Sequence, residues 1–475
     1  MQLHELTAST IVAGYRGGQF SPVEVTRACL DRIAAANPII NAFCLVDEEG
    51  ALSSASESEG RWLKGEPLSP IDGVPVSIKD LFLTKGWPTL CGSKVIDPKS
   101  RPWDEDSASV ARLREAGTVF LGKTTTTEFG HKGVGDCPLT GITRNPWNLE
   151  LTTGGSSCGA GAAGAARMAP LNLGSDGGGS IRIPASFCGL VGYKPGFGTV
   201  PARHSVITGP LVAEGPLTRS VEDAALMGDV LALADTLDIN PLPVAREAGL
   251  TAGLGASIKG KRIGYLATIG DAPVDPDVAA AVRNALDIFR QAGAEVEEAR
   301  LVLPDSERTY ITILSAGTAM FLNEYSDEQR AMMEPALLTL GEIGGAISGV
   351  DYARAFQRTR IAYIQELRAL FARYDMLVLP TMPLPAFPVM LDYPGEQDGG
   401  WHAAWTPFTF PFNLTSLPAC SVPCGLTLSG LPIGLQVVGP WGADAAVLNF
   451  AAVAEAGYAL PAPPLDNPNT GVTRR

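Results

Sequence analysis

The chain has 475 residues, 45% of them apolar, and a formal net charge of −14 at pH 7. That is enough apolar material for a large buried core, while an acidic balance without basic runs argues against a nucleic-acid surface. No apolar stretch reaches the roughly 18 residues of a membrane span, and the start MQLHELTAST has no basic segment followed by an apolar one, so a cytoplasmic location is expected.

In chain order, Ser21-Pro22-Val23-Glu24 carries the marks of a helix start. Ser can cap, Pro fits the first turn and Glu can close a capping box. Val25, Cys29 and Ile33 then recur on one helical face. At 73–80, G-V-P-V-S-I-K-D alternates Val74, Val76 and Ile78 with Pro75, Ser77 and Lys79. This reads as a strand with Lys79 near its end, on the face opposite the aliphatic residues. Residues 107–116 read as a helix and 118–121 as a strand. The segment 159–169 is almost all Gly and Ala, a helix that must pack closely on its neighbours. A βαβ unit is expected from a strand at 262–266, a helix at 277–292 and a strand at 294–296. A long helix over 351–373 carries Phe356, Tyr363, Ile364, Leu367, Leu370 and Phe371 at helical spacing, and M-L-V-L at 376–379 follows as a buried strand. A strand near 433–438 and a helix near 444–456 come last. Strands alternating with helices point to an α/β fold, a mostly parallel or mixed sheet covered on both faces. A surface excursion is expected at 236–260, a loop at 392–400 and a flexible tail over 461–475.

The eight cysteines are scattered with no Cys-x-x-Cys pair, as in a protein with reduced thiols. The four histidines, His4, His131, His204 and His402, lie far apart without zinc spacing. No metal and no cofactor are expected.

Two Gly/Ser clusters stand out: T-T-G-G-S-S-C-G at 152–159 and G-S-D-G-G-G-S-I-R at 174–182. Glycine lets backbone approach a ligand closely, and successive N–H groups can form a nest for negative charge. The oxyanion of acyl transfer needs such a nest. Serine supplies a nucleophile; neither cluster holds a histidine, but a buried lysine can act as the base.

These blocks resemble the amidase signature family. So do G-K-T-T-T-T-E-F-G at 122–130, R-N-P-W at 144–147, G-P-L-T-R-S-V-E-D at 215–223 and P-F-N-L-T-S-L-P-A at 411–419. The similarity covers nearly the whole chain. It implies a single α/β domain over 1–475, with an amino-terminal helical segment at 1–60, a core at about 60–460 and a central mixed sheet flanked by helices on both faces. It implies hydrolysis of an amide-type C–N bond through an acyl-enzyme. Ser180 would be the nucleophile, Ser156 the bridge preceded by a cis peptide bond, and Lys79 the base. The backbone N–H groups of Gly177, Gly178, Gly179 and Ser180 would hold the oxyanion, with Asp176, Arg182 and Ser157 in support. Lys79 would have to work as a neutral amine, its pKa lowered by burial. Asp80, adjacent on the strand, would face the other way.

Cys158 stands where the family usually has glycine. It is read as a small residue at a helix start, with a thiol activated by the helix N-terminus as the sharper alternative. The expected substrate is a small-molecule amide or carbamate, with urethane hydrolysis included. No nucleic acid or membrane partner is expected, and the protein would be a monomer or homodimer. The glutamine-recognition block G-T-Y-A-L-S of the related tRNA amidotransferase subunit has no match around 311–350, which favours a stand-alone amidase. Trp401, Trp405, Phe408, Phe410 and Phe412 are core aromatics, some of them candidates for the pocket wall. Three other readings compete. G-T-V-F-L-G-K-T at 117–124 fits a P-loop. G-S-S-C-G at 155–159 fits a nucleophile elbow built on Ser157, with His204 or His402 as partner. The third is a non-catalytic subunit that kept the fold.

Overall fold

The computed structural model describes residues 2–201, 209–233, 249–394 and 402–466. Eleven strands form one sheet: β1 (Phe43–Val46), β2 (Pro75–Lys79), β3 (Val119–Thr124), β4 (Leu171–Asp176), β5 (Val191–Lys194), β6 (Ala213–Thr218), β7 (Arg262–Tyr265), β8 (Glu295–Glu298), β9 (Met376–Pro380), β10 (Ala419–Leu426) and β11 (Pro432–Val438). Their order in space is β1-β3-β2-β4-β6-β5-β10-β11-β9-β7-β8. β2 runs parallel to β3 and β4, and β7 runs parallel to β8 and β9. The other pairs are antiparallel, so the sheet is mixed.

Alternation along β9 shows why both faces are covered. Met376 and Val378 join a core with the helices Val221–Leu231, Pro276–Gln291 and Asp444–Ala456. Leu377 and Leu379 point the other way, into a core shared with the helices Ser306–Leu322, Pro335–Gly345 and Arg360–Phe371. A strand buried on both faces needs apolar residues at every position.

Local signals placed many elements. Ser21 caps the helix Pro22–Ile40 with a closed capping box, and Val25, Cys29 and Ile33 are buried on it. The βαβ unit is present as β7, Pro276–Gln291 and β8. The final helix spans Asp444–Ala456. β2 is buried on both faces: Lys79 lies on the face opposite the aliphatic residues, as expected, and with Ser77 it points into polar surroundings inside the protein. Elsewhere the structure corrects the reading. The long helix is interrupted by a π turn at Ala355–Thr359, between Gly349–Arg354 and Arg360–Phe371, and only Tyr363 and Leu367 of its last segment are buried. In the expected excursion, Leu250 and Ile258 are core residues, and 234–248 lie outside the described residues. So do 395–401 and 467–475.

β2 and β4 are parallel neighbours, and their last residues are Lys79 and Asp176. Ligands of open α/β sheets gather at such carboxyl ends. The Gly/Ser cluster at 152–159 is brought to the same place by the helix Cys158–Ala165, every residue of which is buried. No helix among the described residues is long and apolar enough to cross a membrane.

Candidate active site

Lys79 is fully buried at the end of β2. Its Nζ lies 2.8 Å from Ser156 Oγ, 3.0 Å from Ser157 Oγ and 3.0 Å from Ser175 Oγ. Among the described residues no carboxylate forms an ion pair with it. Burial, which disfavours an ammonium, pushes its pKa down to about 7, against the opposing pull of Cys158, Asp176 and Cys91. Asp80 does face away: it pairs with Lys123 at 3.0 Å. That pair also disposes of the P-loop, since Lys123 is a buried residue of strand β3 and not a loop lysine.

A neutral amine has two N–H groups and one lone pair. Ser157 Oγ donates to Ser175 O at 3.2 Å, so it can only accept from Lys79. The lone pair is therefore left for Ser156 or Ser175. Ser156 follows a cis Gly155–Ser156 peptide bond and lines a cavity together with Ser175, Gly177, Gly178 and Ser180. Its volume is about 150 Å³, comparable with cavities that hold one benzene ring. Ser180 is partly exposed there. The Ser156 and Ser180 hydroxyls share this cavity without a direct hydrogen bond, a looseness common before substrate binds.

Ser157 does not line the cavity. It is buried, bound to Lys79 and to the Ser175 backbone, whose N–H donates to it at 3.3 Å. A hydroxyl so enclosed cannot meet a substrate, and the nucleophile-elbow reading fails on that ground. Its partner His204 lies outside the described residues, while His402 is an exposed residue at the cavity edge.

The turn after β4 is held by a buried ion pair. Arg182 Nε donates to Asp176 Oδ2 and Nη2 to Oδ1, both at 2.9 Å. Arg182 also donates to Gln436 Oε1 at 2.7 Å and to Asn413 Oδ1 at 2.6 Å. Burial alone would raise the Asp176 pKa, but Arg182 and Lys194 hold the carboxyl well below its usual range. Gly179 N–H donates to Asp176 Oδ1 at 2.7 Å. Gly179 therefore shapes the turn and offers no donor to the cavity, a correction to its expected place in the nest; Gly177, Gly178 and Ser180 are the candidates left. Its φ of +136° is open to glycine, and a Cβ there would meet Thr409 Oγ1 at 2.6 Å. Thr409 in turn donates to Gly178 O at 2.7 Å.

Ser175 was missed by the sequence reading. Its signal was present, a hydroxyl inside G-S-D-G-G-G-S, but only the strand β4 beside β2 shows that it faces Lys79. Cys158 opens its helix fully buried, and burial raises its thiol to about 11; it is a small helix-start residue and not an activated thiol. Of the aromatic stretch, Trp405 lines the cavity, and Phe408, Phe410 and Phe412 are core residues. Trp401 lies outside the described residues. Leu81, Phe82, Cys91, Phe129, Tyr310 and Leu314 also line the cavity, residues drawn from widely separated parts of the chain.

The sequence model of the Amidase family matches residues 24–448. An acylamidase of Rhodococcus erythropolis is 37% identical over 96% of this chain and 96% of its own length. A glutamyl-tRNA(Gln) amidotransferase subunit of Geobacter metallireducens is 36% identical over 94% and 96%. Among solved structures, a bacterial aryl acylamidase of the amidase signature family superposes with a TM-score of 0.88 at 29% identity, covering 95% of this chain and 96% of that one. The 6-aminohexanoate cyclic dimer hydrolase does so with a TM-score of 0.87 at 28% identity, covering 98% and 100%. The sheet, the buried lysine among serines and these similarities agree: the chain belongs to the amidase signature family, whose members hydrolyse amide bonds.

Proposed function

We propose that this chain is a stand-alone amidase that cleaves small amides or carbamates through a Ser–Ser–Lys relay. The carrying observation is a buried lysine with no carboxylate counter-charge among the described residues, 2.8 Å from the Ser156 hydroxyl, at a cavity that also holds Ser180. Ser180 Oγ attacks the acyl carbon. Its proton passes to Ser156, whose own proton moves to the lone pair of Lys79. The oxyanion is met by the N–H groups of Gly177, Gly178 and Ser180. The C–N bond then breaks, and the amine leaves with a proton returned through Ser156. Water attacks the acyl-enzyme along the same path and restores Ser180.

A compact cavity with Phe129, Tyr310 and Trp405 in its wall supports an uncharged substrate with an aromatic or bulky apolar group. The chain is about equally similar to an acylamidase and to an amidotransferase subunit, so the preference for an independent amidase rests on the missing glutamine-recognition block. The eight free cysteines support a reducing compartment such as the cytoplasm. A non-catalytic role has no support from a site in which lysine, serines and glycine turn are all in place.

An alkyl fluorophosphonate is expected to label Ser180, located by mass spectrometry, and Ser180→Ala to lose both label and turnover of anilides. A label on Ser157 would refute the assignment. Because the relay uses only side chains of the protein, EDTA is expected to leave anilide turnover unchanged. Loss of activity in EDTA restored by zinc would refute a metal-free mechanism.

A further inference from the structure

Phe129 and Cys91 are non-glycine residues with left-handed backbones, φ 50° and 53°. They are joined directly, Phe129 N–H donating to Cys91 O at 2.8 Å, and both line the catalytic cavity. Such a backbone favours glycine, yet position 129 carries one of the larger apolar side chains. The ring is not there by default of space. It is nearly buried, edge-on to Phe321 at 4.5 Å and tilted against Tyr325 at 6.1 Å, and those two rings touch each other at 5.0 Å. Phe321 belongs to the helix Ser306–Leu322, which also supplies Tyr310 and Leu314 to the cavity. The next residue, Gly130, approaches Ser156 so closely that a Cβ on it would stand 3.3 Å from Ser156 Oγ. The strained segment thus places in the cavity wall a residue whose ring is packed against two more, next in sequence to the glycine that approaches Ser156. Strained conformations persist where the surrounding structure fixes them for a purpose.

We infer that Phe129 is the specificity-determining end wall of the catalytic cavity and sets the largest apolar group the site admits. The inference rests on the Ser180 reading above and deepens it. The enzyme takes amides whose group on this side is no larger than a short alkyl chain or one ring, and the limit is set by a side chain that takes no part in proton transfer.

The test uses the full chain and a ladder of n-alkyl fluorophosphonates from methyl to octyl, with the second-order rate of Ser180 labelling as readout. Wild type is expected to fall off steeply with chain length. Phe129→Gly, whose backbone accepts the left-handed conformation freely, and Phe129→Ala are both expected to raise the octyl-to-methyl rate ratio at least tenfold. Phe129→Leu should lie between them and wild type. Thermal melting identifies variants that fold, and Phe129→Gly guards against failure of Phe129→Ala to do so. An unchanged length profile in a folded Phe129→Gly or Phe129→Ala variant would overturn the inference while leaving Ser180 as nucleophile. Wild type that is not labelled at Ser180 by any member of the ladder would overturn the Ser180 reading, and the inference with it.

Discussion

Lys79→Ala is expected to lower kcat on an anilide by on the order of 10³-fold, the usual range for loss of a general base. His402→Ala should stay within a few-fold, because its ring lies against Tyr393 at the cavity edge and not beside the serines. The pH dependence identifies the same group. Below about 7 the Lys79 amine is protonated and cannot accept from Ser156; above it the lone pair is available. kcat/KM should therefore rise along one limb with a midpoint near 7 and show no alkaline fall from this residue. The sign for stability is the same. The lysine pKa is lower in the folded chain, about 7, than its ordinary 10.5, so the unfolded chain binds more protons between these values. Stability should increase as pH rises through this window, by up to roughly 5 kcal/mol at about 1.36 kcal/mol per unit. Near-normal turnover in Lys79→Ala, together with a crippled His402→Ala, would remove lysine from the mechanism.

Asp176→Asn is expected to be the most destabilising single substitution at the site, by about 3–5 kcal/mol, because it leaves the fully buried Arg182 without its counter-charge. Urea unfolding followed by tryptophan fluorescence would read this as a lower midpoint. The double variant Asp176→Asn, Arg182→Met should recover part of the loss, since no charge is then stranded. With a depressed pKa, Asp176 contributes fully above its ordinary value of 3.8 and loses that contribution only as pH falls below it. An unchanged midpoint in Asp176→Asn would show that the turn is held by the Asn413 and Thr409 contacts instead.

What the sequence made legible was local or carried by motif. Ser21 and Glu24 announced a helix because a capping box lies within one turn. Lys79, Ser156 and Ser180 were singled out through the blocks that contain them; in the structure Lys79 lies 2.8 Å from Ser156, and Ser156 and Ser180 line one cavity. β4 was hidden because L-N-L-G-S-D carries glycine and serine in place of a strand-like apolar run, yet it lies between β2 and β6, whose ladders supply the pairing. With β4 unseen, Ser175 could not be placed beside Lys79. Gly179 was misassigned for a related reason: a glycine run suggests available N–H groups, and only the direction of each peptide shows which one is taken by Asp176. Phe129 and Tyr310, 181 positions apart in the chain, line one cavity through tertiary packing alone.

The glycine–alanine helix Cys158–Ala165 sets where this enzyme can diversify. A Cβ on Gly159 would stand 2.3 Å from Ala42 O and 2.4 Å from Thr125 N, and one on Gly161 would stand 2.9 Å from Pro184. Those neighbours are backbone or ring atoms that cannot swing aside. Any enlargement there would push the segment carrying Ser156 and Ser157 off Lys79, so a mutational walk is closed along this stretch. The cavity wall is drawn from other parts of the chain, at Leu81–Leu83, Phe129, Leu314 and Trp405. No side chain there is a hydrogen-bond partner of Lys79, whose partners are Ser156, Ser157 and Ser175. A lineage starting from this protein could acquire new amide substrates through those positions one substitution at a time, with the buried contact between Lys79 and Ser156 left intact.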